Sequence, residues 1–265
     1  MSSSRRDFVR IAGTAAAYTA LGVPGFAAND PAVGLIGPPL DYAVPPDAKR
    51  LYPRGVDFLG DGVGLQGGRM TIEGYDEAIP RVVPVAQKLA MQGAKAISVF
   101  GSSITFYKGR TFHEELMQTV SKATGLPATT QSNGLIDGLR TVNARRVAVA
   151  TAYTDIVTER LKVFLEEYGF EVTSAKGLGF EQIPEGAVTQ EILFNLGAAS
   201  YAESRKADAL VMSCGALQTL DLIVPLEGKI SAPVVSSTPH GLMNAVRLLG
   251  VNPRVQGFGT AFAQA

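Results

Sequence analysis

Short apolar runs alternate with longer segments of helical periodicity along most of the chain. Six runs rich in Val, Ile and Ala have the length of buried strands, and apolar residues between them recur every three or four positions, as in helices. Parallel sheets covered by helices on both faces show this combination, so the sequence predicts an α/β fold. The predicted strands are 32–37, 95–101, 127–132, 146–152, 207–214 and 232–237, and the clearest helices are 77–93, 112–125, 155–169 and 189–206.

The pattern of the first half of the chain recurs in the second half. Residues 133–147 align with residues 240–255, and a strand ending in small hydroxyl-bearing residues precedes each copy. The six strands therefore divide into two sets of three, which predicts two pseudo-symmetric parallel-sheet halves related by a two-fold axis. The identical residues of the two copies are Gly134 and Gly241, Leu135 and Leu242, and Arg140 and Arg247.

This repeat predicts the domain organisation and the place of a site. The first half is expected over 29–143 and the second over 144–265, with a C-terminal helix that packs across onto the first half. The carboxyl ends of the parallel strands would meet at a cleft between the halves, where small-molecule sites commonly lie.

The first 28 residues have the features of a twin-arginine export signal. Arg5 and Arg6 precede Phe8, a mildly apolar Ala-rich stretch follows, and small residues end the segment. A short amphipathic first helix is the alternative. No other window contains the ~20 apolar residues that a membrane span requires. We therefore expect the mature chain to be a soluble periplasmic protein without stable membrane association. The twin-arginine export machinery would be its transient partner.

The charge balance and the few cysteine and histidine residues exclude several classes of partner and cofactor. Without residues 1–27, which hold three arginines and one aspartate, 21 basic residues stand against 23 acidic ones, so nothing indicates nucleic-acid binding. One cysteine forms no internal disulfide, and two histidines with one cysteine argue against a zinc site. We expect a monomer that acts on a small molecule without metal or cofactor, with His113 on the exposed face of a helix.

Residues 60–70 are rich in glycine, but they lack the strand, the Gly-rich turn and the Lys-Ser/Thr pair of a phosphate-binding loop. We interpret them as a flexible flap over the cleft that carries Val63, Leu65 and Met70.

Cys214, the single cysteine, lies at the end of an apolar strand and is followed by Gly215 and Ala216. At such a position its thiol would face the cleft where the strand turns into a helix, with backbone N–H groups nearby. The alternative is a small buried hydrophobic residue, which is the usual state of a free cysteine. Alignment of the two halves places Gly101 opposite Cys214, so only one half supplies a thiol.

The loop 101–109, which is equivalent to the Cys214 loop, contains Ser102, Ser103, Thr105 and Tyr107, and another strand ends with Thr151 and Tyr153. Neutral donors of this kind can stabilise a carboxylate or its enolate without a metal. Capping of a helix by Ser102 or Ser103 is the alternative.

Ordered blocks along nearly the whole chain resemble the arylmalonate decarboxylases, which are cofactor-free members of the aspartate/glutamate racemase superfamily. The blocks are GLIGPP, RLYP, EGYD, GSSITFYKG, ATGLP, ATAYTDIVTERL, SCGALQTLD, PVVSS and AVRLLG. The resemblance implies a carbon–carbon lyase that converts disubstituted aryl- or alkenylmalonates into chiral monocarboxylic acids through an enediolate.

The resemblance also assigns roles to individual residues. It makes Cys214 the proton donor, places the oxyanion hole at Ser102, Ser103, Tyr153 and Gly215, and places Tyr75 and Pro38 beside the substrate. The small apolar pocket for the departing carboxylate falls on Leu65, Met70, Ile104 and Ile183. Ser102 replaces the threonine that is usual in the family. Two further departures bear on pocket volume and hence on substrate choice: two residues are inserted around 67–68, and Gly186 stands where a larger apolar side chain is expected.

Two other functions stay open at this stage. Racemases and maleate isomerases of the same superfamily use two cysteines, one from each half, whereas Gly101 occupies the second position here. A single-cysteine isomerase or racemase of a small dicarboxylate is therefore one alternative. The other is an exported carboxylate-binding protein, which has no need of Cys214.

Overall fold

The computed structural model describes residues 30–65 and 68–265, and this part of the chain forms two α/β halves. The predicted export signal, residues 1–28, lies outside the described residues. The strands are β1 (Ala32–Gly37), β2 (Asp57–Gly62), β3 (Ala94–Val99), β4 (Ala128–Thr130), β5 (Arg146–Tyr153), β6 (Glu171–Phe180), β7 (Ala209–Ser213) and β8 (Val234–Ser236). The helices are α1 (Asp47–Leu51), α2 (Ile72–Ala78), α3 (Val82–Met91), α4 (Ser102–Phe106), α5 (Gly109–Thr124), α6 (Gln131–Thr141), α7 (Asp155–Glu167), α8 (Gln190–Glu203), α9 (Ile223–Ile230), α10 (Ser237–Arg247) and α11 (Thr260–Gln264).

Each half contains a four-stranded parallel sheet. The strand order is β2-β1-β3-β4 in the first sheet and β6-β5-β7-β8 in the second, and every strand pair is parallel. The predicted α/β class and the pseudo-symmetry of the halves are therefore confirmed. In each sheet the connections from the first strand lead to one side and those from the third strand to the other, so the strand order switches between β1 and β3 and between β5 and β7. Ligands of open α/β sheets bind beside such switch points.

The prediction of three strands in each half was wrong, because β2 and β6 are missing from it. Both are edge strands and only partly buried, so neither carries the continuous apolar run of a central strand. The strand predicted over 127–132 is also too long. It ends at Thr130, whose side chain accepts a hydrogen bond from the Asn133 amide and caps α6.

Helices α6 and α10, which contain the repeated sequence, pack against each other where the halves meet. Their backbones approach closely at Gly134. A Cβ atom there would lie 2.5 Å from the carbonyl oxygen of His240 and 2.6 Å from the Cα of Gly241. The repeated glycines thus permit the helix contact on which the cleft between the halves depends.

Replacement of Gly134 by alanine is expected to destabilise the fold, because the added methyl group meets backbone atoms that have no rotamer to change. We expect a loss of about 1–3 kcal/mol in the free energy of unfolding, measured by urea denaturation. Gly228→Ala is the matched control, since its Cβ would meet no atom within 4 Å in helix α9. A neutral or stabilising effect of Gly134→Ala would contradict the proposed close contact.

The prediction that His113 is exposed was wrong: it is fully buried, its Nδ1 is 2.7 Å from the Tyr168 hydroxyl, and its Nε2 is 2.6 Å from Thr130 Oγ1. The C-terminal helix α11 contacts both α6 of the first half and β8 of the second.

Within residues 30–65 and 68–265, no helix is both long enough and apolar enough to cross a bilayer.

Candidate active site

A cavity of about 280 Å³ lies between the halves, at the carboxyl ends of β1, β3 and β7. The loops that follow these strands form most of its wall, as expected for a site beside the strand-order reversal. Most of the residues that the sequence singles out meet here. The lining residues are Pro38, Pro39, Tyr42, Leu65, Gly68, Met70, Phe100, Gly101, Ser102, Ser103, Cys214, Gly215 and Ala216.

Cys214 lies in this wall directly after β7 and is only 4% exposed. Burial raises the pKa of its thiol to about 11, although the backbone amides of Ala216 and Leu217 and the hydroxyl of Tyr153 oppose part of the increase. The thiol is therefore protonated at neutral pH. One local prediction was wrong: a turn, not a helix, follows Cys214, and the next helical residue is Leu220.

A chain of hydroxyl groups links the two halves beside the thiol. Tyr153, the last residue of β5, places its Oη 3.0 Å from Ser102 Oγ at the start of α4. Ser237 Oγ, at the start of α10, is 3.2 Å from Ser102 Oγ and 3.3 Å from Ser213 Oγ. Burial holds the pKa of Tyr153 well above its usual value, so this hydroxyl is a neutral donor.

Ser132 and Thr238 are the second residues of α6 and α10, and they hold the two loops in the same way. Ser132 Oγ donates to the carbonyl of Ser102 at 2.9 Å, and Thr238 Oγ1 donates to the carbonyl of Gly215 at 3.0 Å. Because the peptide unit is planar, fixing the carbonyl of Gly215 also fixes the N–H of Ala216 that faces the sulfur of Cys214. Ser132, Thr238 and Ser237 were not predicted from the sequence, although the hydroxyl-bearing ends of the repeated strands were a signal for them.

The part of the cavity wall that contains Leu65 and Met70 is apolar. Met70 Sδ is 3.8 Å from Cys214 Sγ, and Leu65 lies beside it in the wall. Tyr75 is fully buried nearby, and burial raises the pKa of its hydroxyl group. This hydroxyl has no hydrogen-bond partner of ordinary geometry within the described residues. Ile104 is buried behind the wall. Ile183 instead lines an adjacent cavity of about 440 Å³, together with Gly186.

The segment predicted as a flexible flap begins as strand β2 and is anchored on both sides of residues 66–67, which the structure does not describe. The Leu65 amide donates to the Pro38 carbonyl at 2.7 Å, and the Met70 amide donates to the Glu181 carbonyl at 2.5 Å. The Arg81 guanidinium binds the carbonyls of Val63 and Gly64. The described parts of this segment thus contribute Leu65, Gly68 and Met70 to the cavity wall.

Gly101, which the alignment of the halves makes equivalent to Cys214, lines the same cavity. Its surroundings are filled, since a Cβ atom there would lie 2.8 Å from Cγ of Pro38 and 3.0 Å from Cγ2 of Ile104. Pro38 and Ile104 thereby fill the space beside Gly101 that a side chain would need. Of these two equivalent positions, Cys214 supplies a thiol and Gly101 supplies no side chain.

No grouping of three or more His, Cys, Asp or Glu side chains that could hold a metal occurs within residues 30–65 and 68–265. His240, which the sequence places near a strand end, is fully buried and is not among the residues of the cavity wall. Its ring packs against Phe262 at an interplanar angle of 40°, with ring centroids 4.8 Å apart. Burial lowers its pKa to about 4, so its ring is neutral.

Comparison with known proteins identifies the family. The family model for arylmalonate decarboxylase matches residues 33–262. The chain belongs to the arylmalonate decarboxylase family. It is 41% identical to the arylmalonate decarboxylase of Bordetella bronchiseptica over 240 residues, which are 90% of this chain and 99% of that protein. As a member of this family it is a carboxy-lyase.

Solved structures agree with this assignment. An arylmalonate decarboxylase variant with a glycine-to-cysteine and a cysteine-to-serine exchange, in its liganded form, superimposes with a TM-score of 0.84 at 40% identity, covering 89% of this chain and 100% of that one. A maleate cis-trans isomerase of Nocardia farcinica with a covalently bound succinylcysteine intermediate has a TM-score of 0.79 at 21% identity, covering 89% and 99%. The second likeness shows that this chain shares its racemase-like fold with that isomerase.

Proposed function

We propose that this carboxy-lyase decarboxylates disubstituted malonates whose α-carbon bears an aryl or alkenyl group, without a cofactor, and releases a chiral monocarboxylic acid. One carboxylate of the substrate would accept hydrogen bonds from the hydroxyl groups of Ser102, Ser103 and Tyr153 and from the Gly215 amide. The buried hydroxyl chain between the halves supports this assignment, because preorganised neutral donors stabilise a developing oxyanion without reorganisation.

The second carboxylate would lie against the apolar wall that contains Leu65 and Met70. An ionised group is poorly solvated there, so its conversion to neutral CO2 removes an unfavourable interaction. The carbon–carbon bond breaks, and its electron pair moves through the α-carbon onto the held carboxylate as an enediolate. Donors placed for this dianion bind it more strongly than the substrate, which lowers the barrier.

Cys214 would then donate its thiol proton to one face of the α-carbon and recover a proton from solvent. The observation that carries the proposal is the juxtaposition, in one cavity, of a protonated thiol with a set of neutral donors and an apolar wall. Racemisation requires a second acid–base group on the opposite face, and Gly101, the residue equivalent to Cys214 in the first half, has no side chain to supply one.

The test measures CO2 release from phenylmalonate and from α-methyl-α-phenylmalonate. The acid formed from α-methyl-α-phenylmalonate is also analysed for chirality. We expect turnover of both compounds and a large excess of one enantiomer of 2-phenylpropionate. Absence of CO2 from both would overturn the proposal. Rapid loss of the α-proton signal of an enantiopure monoacid in deuterated water, with no decarboxylation, would favour an isomerase or racemase instead.

The pH dependence of turnover is expected to follow the thiol. Because the proton donor is the neutral form and burial raises its pKa to about 11, kcat/KM should stay level from pH 7 to 9 and fall only as the pH rises towards that value. A pH–rate profile on phenylmalonate tests this. A fall centred at or below pH 8 would show that the donor is a more acidic group than the buried thiol.

We also propose that residues 1–28 direct export through the twin-arginine route and that the mature protein is a periplasmic monomer. The paired arginines and the following apolar stretch support export. N-terminal sequencing of the protein from a periplasmic extract, with an Arg5→Lys, Arg6→Lys double variant as control, tests the signal. Light scattering on a sizing column measures the oligomeric state.

A further inference from the structure

Tyr42, which the sequence analysis did not select, lies on the boundary between the active-site cavity and a second cavity of about 320 Å³. Gly215 and Ala216 line both cavities as well, so the two spaces adjoin at the loop after Cys214. Tyr42 is the residue of this boundary whose side chain carries a hydrogen-bonding group.

The hydroxyl group of Tyr42 is buried and has no hydrogen-bond partner among residues 30–65 and 68–265. Burial raises the pKa of this phenol, so it is neutral and able to donate at any ordinary pH. A buried polar group without a partner is unfavourable and uncommon in native proteins, and its presence in a site wall points to a ligand that supplies the partner.

The position of the ring is set by packing rather than by its hydroxyl. The ring rests directly on Gly37, the last residue of β1, where a Cβ atom would lie 1.8 Å from Cδ2 and 2.1 Å from Cγ of Tyr42. Any other residue at position 37 would displace the ring from the cavity wall. Packing against Gly37 therefore fixes the position of the ring, while its hydroxyl forms no hydrogen bond within the described residues.

The proposed function leaves one direction in the cavity for the α-substituent of the substrate. Ser102 and Ser103 hold one carboxylate, and the wall of Leu65 and Met70 receives the other. Among the remaining lining residues, the bulky side chains are those of Pro38, Pro39 and Tyr42 after β1 and of Phe100 after β3.

We propose that the Tyr42 hydroxyl forms a hydrogen bond with a polar group on the α-aryl substituent, so that the preferred substrates are hydroxyarylmalonates or aryl malonates with a similar hydrogen-bonding group. This inference rests on the proposed function of the same site. It makes Tyr42 a specificity-determining residue, because a site built to bond a substrate hydroxyl discriminates strongly against the analogue that lacks it.

The experiment compares 3- and 4-hydroxyphenylmalonate with 3- and 4-methylphenylmalonate, which have nearly the same shape. In the wild type, kcat/KM for the hydroxyl compound should exceed that for its methyl isostere by at least about tenfold at one ring position. In Tyr42→Phe the same ratio should fall to near one. Tyr52→Phe, which removes a hydroxyl bonded to the Pro253 carbonyl and lines neither cavity, should keep the wild-type ratio.

The outcomes separate this inference from the function on which it rests. A wild-type ratio near one at both ring positions overturns the inference even if Tyr42→Phe does not fold, and so does a ratio that survives in Tyr42→Phe. Failure of the wild type to release CO2 from all four compounds and from phenylmalonate would overturn the proposed function itself.

Discussion

Replacement of Cys214 by alanine is expected to lower kcat/KM for α-methyl-α-phenylmalonate by about 10²–10⁴-fold, the usual contribution of a positioned general acid. The residual product should be racemic, because water would reach the α-carbon from either side once the thiol no longer protects and protonates one face. CO2 release and chiral chromatography of the product measure the two effects separately.

The same experiment needs evidence that the variant is folded. Cys214 is a small side chain in a cavity wall, so the alanine variant should keep the circular dichroism spectrum of the wild type and lose little stability. Cys214→Ser preserves size and polarity but is a far weaker acid, and it should be impaired as well. Wild-type activity and stereochemistry in the alanine variant would exclude Cys214 as the proton donor.

Tyr153→Phe is expected to reduce kcat by about 10²–10³-fold, the range found when one donor of an oxyanion hole is removed. The ring remains in the core against Phe106, with ring centroids 5.8 Å apart in the wild type, so the substitution removes little more than a hydroxyl. Because that hydroxyl is bonded to Ser102 Oγ and faces the thiol, its loss also disturbs the two groups that act with it.

The matched control is Tyr201→Phe, which removes a tyrosine hydroxyl that donates to the Ala207 carbonyl at 2.9 Å, outside the cavity wall. It should leave kcat within about twofold of the wild-type value, as expected for a change outside the site. The decisive measurement is kcat at saturating substrate, since transition-state stabilisation appears in kcat and uniform binding in KM. Equal loss of activity in both variants would assign the effect of Tyr153 to stability.

Much of the site was predictable because it lies at the ends of central strands. The apolar runs before Gly101 and Cys214 predict buried parallel strands, and the carboxyl ends of such strands converge, so Ser102, Ser103 and Cys214 could be placed together from local pattern. The edge strands β2 and β6 were not predicted, because many of their residues are partly exposed and their sequences therefore lack a continuous apolar run.

Tyr42 shows where prediction from sequence ends. It follows a strand in a loop with no motif, and its place in the wall depends on the absence of a side chain at Gly37, five positions earlier. The buried position of His113 likewise depends on contacts with Tyr168 and Thr130, which no periodicity within α5 reveals.

Local patterning established the α/β class, the repeat and the membership of Cys214 in a strand-end loop, because hydrophobic periodicity reflects burial within a single element. The contacts that turn these elements into a site join residues far apart in the chain: Ser237 with Ser102, Thr238 with Gly215, and Met70 with Cys214. They exist because α6 and α10 pack closely through Gly134 and Gly241 and bring the two halves together. The raised pKa of the thiol has the same origin, since only the assembled halves exclude water from Cys214.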